Sequence, residues 1–112
     1  MLSDNINKLT QEIVDGGIEL LGDKISKIVL YGSYARGDYD NESDIDIMFL
    51  LNCNEQDISK YRKKMCRLSS RIGLDYNIMV SLFIKDKDSF YDRLDVLPFY
   101  QNVEREGIVL YG

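Results

Sequence analysis

Apolar residues recur at helical spacing through the start of the chain, at Ile6, Leu9, Ile13, Leu20 and Leu21. This predicts a helix over residues 4–21 with Ser3 as its N-cap. Gly16-Gly17 lies inside it, at a cost of about 1 kcal/mol per glycine against alanine, so the pair predicts a kink or close packing. Gly22-Asp23 ends the helix, and residues 24–31 predict a first strand that Gly32-Ser33 breaks. A short helical turn (34–37), a polar loop (38–42) and a second strand (44–51) follow. Ile58, Tyr61, Met65, Leu68 and Ile72 then recur at steps of three and four behind Asn54 as N-cap. They define the clearest helix of the chain, with Lys60, Arg62, Lys63, Lys64 and Arg67 on its wet face and Gly73 as its expected stop. Alternation over 75–84 predicts a third strand, with Tyr76, Ile78, Val80, Leu82 and Ile84 on one face and Asp75, Asn77, Met79, Ser81 and Phe83 on the other. A short helix is expected over 86–93. Pro98 suits the first turn of another that runs to Glu106, with Gly107 as its stop. Residues 108–111 are left as an edge strand. Strands separated by helices give an α/β (α+β) sheet protein.

Composition narrows the class. The chain has 112 residues, 45% of them hydrophobic, and reads as a single domain able to bury one core. With 14 basic and 19 acidic residues its net charge is −5, which argues against direct nucleic-acid binding, since that needs a basic face. The basic helix face is accordingly read as a solvated surface. No run is long and apolar enough to span a membrane and no signal peptide is visible, so a cytoplasmic location is expected. Histidine is absent, which excludes Ser-His and Cys-His catalysis. Cys53 and Cys66 are too few for a zinc site and read as reduced thiols.

The candidate chemistry sits between the first two strands. Asp44 and Asp46 are two apart, so on a strand they share one face while Ile45, Ile47 and Phe49 take the other. Two neighbouring carboxylates are costly to ionise together, and a divalent cation removes that cost. Mg²⁺ suits hard oxygen ligands and usually takes one or two protein carboxylates, completing its shell with water and phosphate oxygens. Gly32 lets backbone pass close to a ligand, and Ser33 offers a hydroxyl and an N–H.

The order Gly32-Ser33, ten residues, then Asp44-Ile45-Asp46 resembles the nucleotidyltransferase superfamily of DNA polymerase beta. It is more closely similar to the minimal nucleotidyltransferases, the small partners of HEPN-domain proteins. Ala35-Arg36-Gly37, Ser43-Asp44 and the ending from Phe99 to Tyr111 also match. The resemblance implies the nucleotidyltransferase fold, a small mixed sheet with helices packed on one face and the active site on the other. It implies two Mg²⁺ ions held by Asp44 and Asp46, with Gly32, Ser33 and Arg36 at the nucleotide. It further implies ATP as donor, a tyrosine of a HEPN-domain ribonuclease toxin as acceptor, and an antitoxin role. A partner protein or a second copy of the chain would then supply acceptor recognition.

Superfamily enzymes usually carry a third carboxylate on a neighbouring strand. The expected region is Leu74–Ile78, where either Asp75 as a catalytic carboxylate or Asn77 as its amide replacement faces the aspartate pair. Two other residues have two readings each, and Ser43 has one. Arg36 reaches a phosphate or pairs with Asp38 or Asp40; Tyr34 stacks on a base or joins an apolar patch; Ser43 aligns the turn before the second strand. The alternative to an enzyme is a nucleotide- or toxin-binding module without useful turnover. Transfer to a small molecule is disfavoured, because it normally requires an added domain.

Overall fold

The computed structural model describes residues 3–112. A four-stranded mixed sheet runs in the order β3-β2-β1-β4. Its strands are β1 (Ile25–Tyr31), β2 (Ile45–Leu51), β3 (Val80–Asp86) and β4 (Ile108–Tyr111). β2 and β4 both pair antiparallel with β1, whereas β3 lies parallel to β2. The parallel step needs a crossover, and α3 (Ile58–Tyr76) supplies it.

α1 (Asp4–Leu21) and α3 cover one face of the sheet. Ser3 caps α1 as expected, its hydroxyl accepting the Ile6 N–H at 3.3 Å. Leu9 and Ile13 from α1, Met65 and Ile72 from α3, and Ile28, Leu30, Ile47 and Phe49 from the sheet make the main core, each almost fully excluded from water. The glycine pair of α1 proves to be a packing device. A Cβ at Gly17 would stand 2.5 Å from the Phe49 ring, and one at Gly16 would stand 2.6 Å from Leu68 Cδ1.

The opposite face is not left bare. Val29, Met48 and Leu50 point into it, and α4 (Lys87–Asp92) and α5 (Pro98–Glu106) cover them with Phe90, Tyr100 and Val103. The expected placement of helices on one face therefore needs this smaller second layer added, because the alternate side chains of β1 and β2 are apolar as well. α4 is capped by the buried Asp86, whose Oδ2 accepts the Ser89 N–H at 2.9 Å. Burial alone would raise the Asp86 pKa, but its hydrogen bonds from Ser89 and the nearby Lys85 outweigh that and hold it below the usual carboxylate range.

One boundary differs from expectation. α3 does not stop at Gly73 but continues to Tyr76, so residues 75–79 are not strand and β3 starts at Val80. Leu68, Ile72 and Tyr76 continue the four-residue spacing, and Tyr76 packs against the core. Asn77 ends the helix in the left-handed region at φ 53°, which asparagine tolerates better than most residues. The Ile78 N–H then folds back to the Gly73 carbonyl at 3.0 Å. A Cβ at Gly73 would meet the Ile78 carbonyl oxygen at 2.8 Å, so this glycine serves the wrap of the chain after the helix.

The glycine pair makes a stability prediction. Gly17→Ala gains helix propensity of about 1 kcal/mol but overpacks Phe49, which typically costs about 1–3 kcal/mol. A net loss of about 1 kcal/mol is expected, seen as a fall in Tm of roughly 4–8 °C. Gly16→Ala should cost less, because Leu68 can yield by a rotamer change. Thermal melts of the two variants check the order.

Candidate active site

The site is built by the antiparallel pairing of β1 with β2. That register sets Tyr31, the last residue of β1, opposite Asp46. The chain must then turn off the sheet directly beside the Asp46 carboxylate. Gly32 makes the turn with φ 76°, and a Cβ there would stand 2.5 Å from Asp46 Oδ2. Glycine is required twice over, by backbone conformation and by lack of space. Ser33 opens the short helix α2 (Ser33–Arg36), and Gly37, at φ 86°, closes it with its N–H on the Ser33 carbonyl at 2.9 Å.

Asp44 stands just before β2, in a loop ordered by Ser43 and Asp40. The Asp40 N–H donates to the Ser43 hydroxyl at 2.9 Å, and the Glu42 N–H donates to Asp40 Oδ1 at 2.9 Å. Ser43 is thus the turn-aligning residue the sequence suggested. Asp44 is exposed and Asp46 half-buried. Burial raises the Asp46 pKa, the neighbouring Asp44 raises it further, and Arg36 partly opposes both. Burial first, then the Asp46 carboxylate, push the Tyr31 phenol up to about 12, so it stays neutral beside the aspartate. A second cation beside Asp46 would favour its ionised form.

Arg36 takes the pairing alternative and stays within reach of the cavity. Its Nε pairs with Asp38 at 3.1 Å and its guanidinium reaches Glu106 of α5 at 3.5 Å, while the side chain still lines the cavity over Asp46. Tyr34 resolves to the structural alternative. It is buried and stacked on Tyr39, with ring centroids 4.2 Å apart and planes at 13°.

The cavity beside Asp46 measures about 370 Å³ and is floored by Tyr31, Gly32 and Ser33. Its wall is one face of α5: Phe99, Asn102, Val103 and Glu106. Sequence reasoning assigned none of these wall residues to the site. Their spacing along α5 carried the signal, but only the fold shows that the helix crosses the mouth of the site. A larger cavity, about 500 Å³ and lined by Leu74, Asn77 and Met79 among others, has no paired carboxylates and no phosphate-facing glycine turn.

The third carboxylate is where expectation and structure part. Asp75 is exposed in the last turn of α3, Asn77 caps that helix, and neither lines the cavity at Asp46. The strand residue paired with Asp46 is Ser81. Ile45, Ile47 and Phe49 pair with Val80, Leu82 and Ile84 on the core face, so Asp46 and Ser81 share the second face, the one that α4 and α5 partly cover. Among the described residues, no group of three or more His, Cys, Asp and Glu side chains is clustered so as to hold a metal ion. A cation that takes only one or two protein carboxylates still fits Asp44 and Asp46, because their mutual repulsion and the partial burial of Asp46 favour one.

Comparison with known proteins bears on the family and the fold. The nucleotidyltransferase domain model matches residues 12–109. The Methanocaldococcus jannaschii protein named "Putative protein adenylyltransferase MJ0141" is 40% identical over 89 residues, which is 80% of this chain and 82% of that protein. "Putative protein adenylyltransferase MJ0604" of the same organism is 34% identical over 107 residues, 96% of this chain and 99% of that protein. Among solved structures, a toxin–antitoxin crystal structure with AMP-PNP is similar in fold. Its TM-score is 0.56 at 22% identity, covering 91% of this chain and 72% of the matched one.

The electrostatics predict a pH signature. A carboxyl group whose folded pKa is raised destabilises the fold once it ionises, so its burden is absent below the ordinary carboxylate pKa and grows as pH rises through the raised value. Asp46→Asn should therefore melt above the wild type at neutral pH, and the advantage should vanish in acid. Mg²⁺ should raise the wild-type Tm and leave that of Asp46→Asn nearly unchanged. Equal response of both proteins to Mg²⁺ would argue against a cation at Asp46.

Proposed function

This chain belongs to the nucleotidyltransferase family, and we propose that within it the chain moves AMP from ATP to a hydroxyl, on a tyrosine of a HEPN-domain toxin, as the antitoxin of the pair. The observation that carries the reading is the Gly32-Ser33 turn held against the half-buried Asp46, with Asp44 beside it. A phosphate chain fits such a turn, because Gly32 lets it approach and Ser33 offers a hydroxyl and an N–H. Asp44 and Asp46 would hold Mg²⁺, which when bound screens the phosphates and favours an ionised acceptor oxygen. Arg36 would exchange its bond to Glu106 for a phosphate oxygen, for which its planar fork is suited. The acceptor oxygen attacks the α-phosphorus, the bond from that phosphorus to the bridging oxygen breaks, and pyrophosphate leaves. Support for a protein acceptor comes from the names of the two relatives. Support for the toxin comes from the resemblance to the minimal nucleotidyltransferases and from the toxin–antitoxin neighbour.

A second reading has its own observation. Ser81 occupies the strand position beside Asp46, and a serine hydroxyl does not take up the acceptor's proton at neutral pH. The proton is then left to solvent or to a group on the partner. This favours slow turnover, and at the limit a nucleotide- or toxin-binding module.

Three variants separate the readings. Asp44→Asn and Asp46→Asn should each abolish transfer of labelled AMP to the co-purified partner while keeping native circular dichroism. Full activity in both would end the proposal. Ser81→Asp places a carboxylate beside Asp46 and should raise the rate, since general-base assistance is typically worth about 10²–10⁴-fold. If the wild type binds ATP and partner but transfers nothing even in the Ser81→Asp background, the binding module is the better account.

A further inference from the structure

We propose that Phe99 is the platform on which the nucleobase stacks; this deepens the nucleotidyltransferase reading and rests on it. Phe99 opens the face of α5 that walls the cavity over Asp46, and 42% of its surface is exposed. The ring is held on two sides by near-perpendicular aromatic neighbours. Its centroid lies 5.5 Å from Tyr31 at 73° and 5.7 Å from Phe83 at 63°. Such edge-to-face contacts fix the orientation of a ring while leaving its remaining surface free. An exposed phenylalanine alone is ordinary. One locked in place within a cavity that also holds a carboxylate and a phosphate-sized glycine turn is a recognition element.

The cavity is graded along α5. Glu106 and Arg36 meet at one end, and Phe99 stands at the other, seven residues earlier. Seven residues of α-helix span about 10 Å, the scale on which a nucleoside separates its flat base from its phosphates. The polar end, with Ser33 and Arg36, suits phosphate. The aromatic end suits a π-face, and any base presents one. Tyr34, the aromatic next to the glycine turn in sequence, is unavailable because it is stacked on Tyr39 inside the core. Tyr31, the other aromatic lining the cavity, lies opposite Asp46 beside the glycine turn and so at the phosphate end, which leaves Phe99 to stack the base.

The test compares ATP with inorganic tripolyphosphate, which has the phosphates and no base. Both are titrated with Mg²⁺ into the wild type, Phe99→Ala, Phe99→Leu and Phe99→Trp by calorimetry. Phe99→Leu fills the same cluster without a π-face, so it serves if the alanine variant melts early. The expected result is ATP binding about 10- to 100-fold weaker in the alanine and leucine variants, tripolyphosphate binding unchanged, and ATP binding kept by tryptophan. Equal weakening of both ligands would overturn the platform and leave Phe99 a structural residue of α5. Unchanged ATP binding would overturn it too, and if transfer were then lost the ring would belong to the acceptor. A wild type that binds neither ligand would fail at the earlier step, the site itself.

Discussion

Everything proposed for this protein depends on one register. Tyr31 lies opposite Asp46 in the antiparallel pairing of β1 and β2. Because side chains alternate, the same register buries Ile45, Ile47 and Phe49 in the core and turns Asp46 to the second face, beside the cavity. Because β1 ends there, the Gly32 turn must pass over the carboxylate, with room for hydrogen but not for a Cβ. A slip of one residue would put Asp46 into the core and an isoleucine into the site. The core thus enforces the site: the apolar face of β2 cannot be satisfied without presenting the aspartate.

The site works against the fold that holds it. Asp46 is partly desolvated and faces a second carboxylate, and nearby cationic help comes from Arg36, which is shared with Asp38 and Glu106. The free protein carries this cost, and a cation with a polyphosphate would relieve it. Arg36 is therefore best seen as a holding charge. It offsets part of the charge at Asp46 in the free protein, and in the proposed reaction it would be released to a ligand that brings its own counter-charge.

Much of this was legible in the sequence, for identifiable reasons. Helix periodicity in α1 and α3, the breaks at Gly22 and Gly32-Ser33, and Pro98 at the start of α5 are local signals, and all four mark real element boundaries or faces. Gly32, Ser33, Arg36 and Asp46, the residues singled out by the family resemblance, line one cavity, with Asp44 next to it. Two features could not be read locally. Gly73 looks like a helix stop, yet its missing side chain serves contact with the Ile78 carbonyl, so the third strand starts five residues later than alternation suggested and Ser81 replaces Asp75 and Asn77 beside Asp46. The wall made by Phe99, Asn102, Val103 and Glu106 depends on α5 crossing the second face of the sheet, and that follows only from the burial needs of Val29, Met48 and Leu50.

The central claim is that Asp44 and Asp46, under the Gly32-Ser33 turn, receive a metal-bound nucleotide. The most direct measurement is a crystal structure of the protein grown with AMP-PNP and Mn²⁺ in place of Mg²⁺, with the metal located by its anomalous scattering. A metal peak in contact with both carboxylates is expected, with a phosphate oxygen within hydrogen-bonding distance of Ser33. A nucleotide seated elsewhere, or a metal peak that touches neither aspartate, would contradict it.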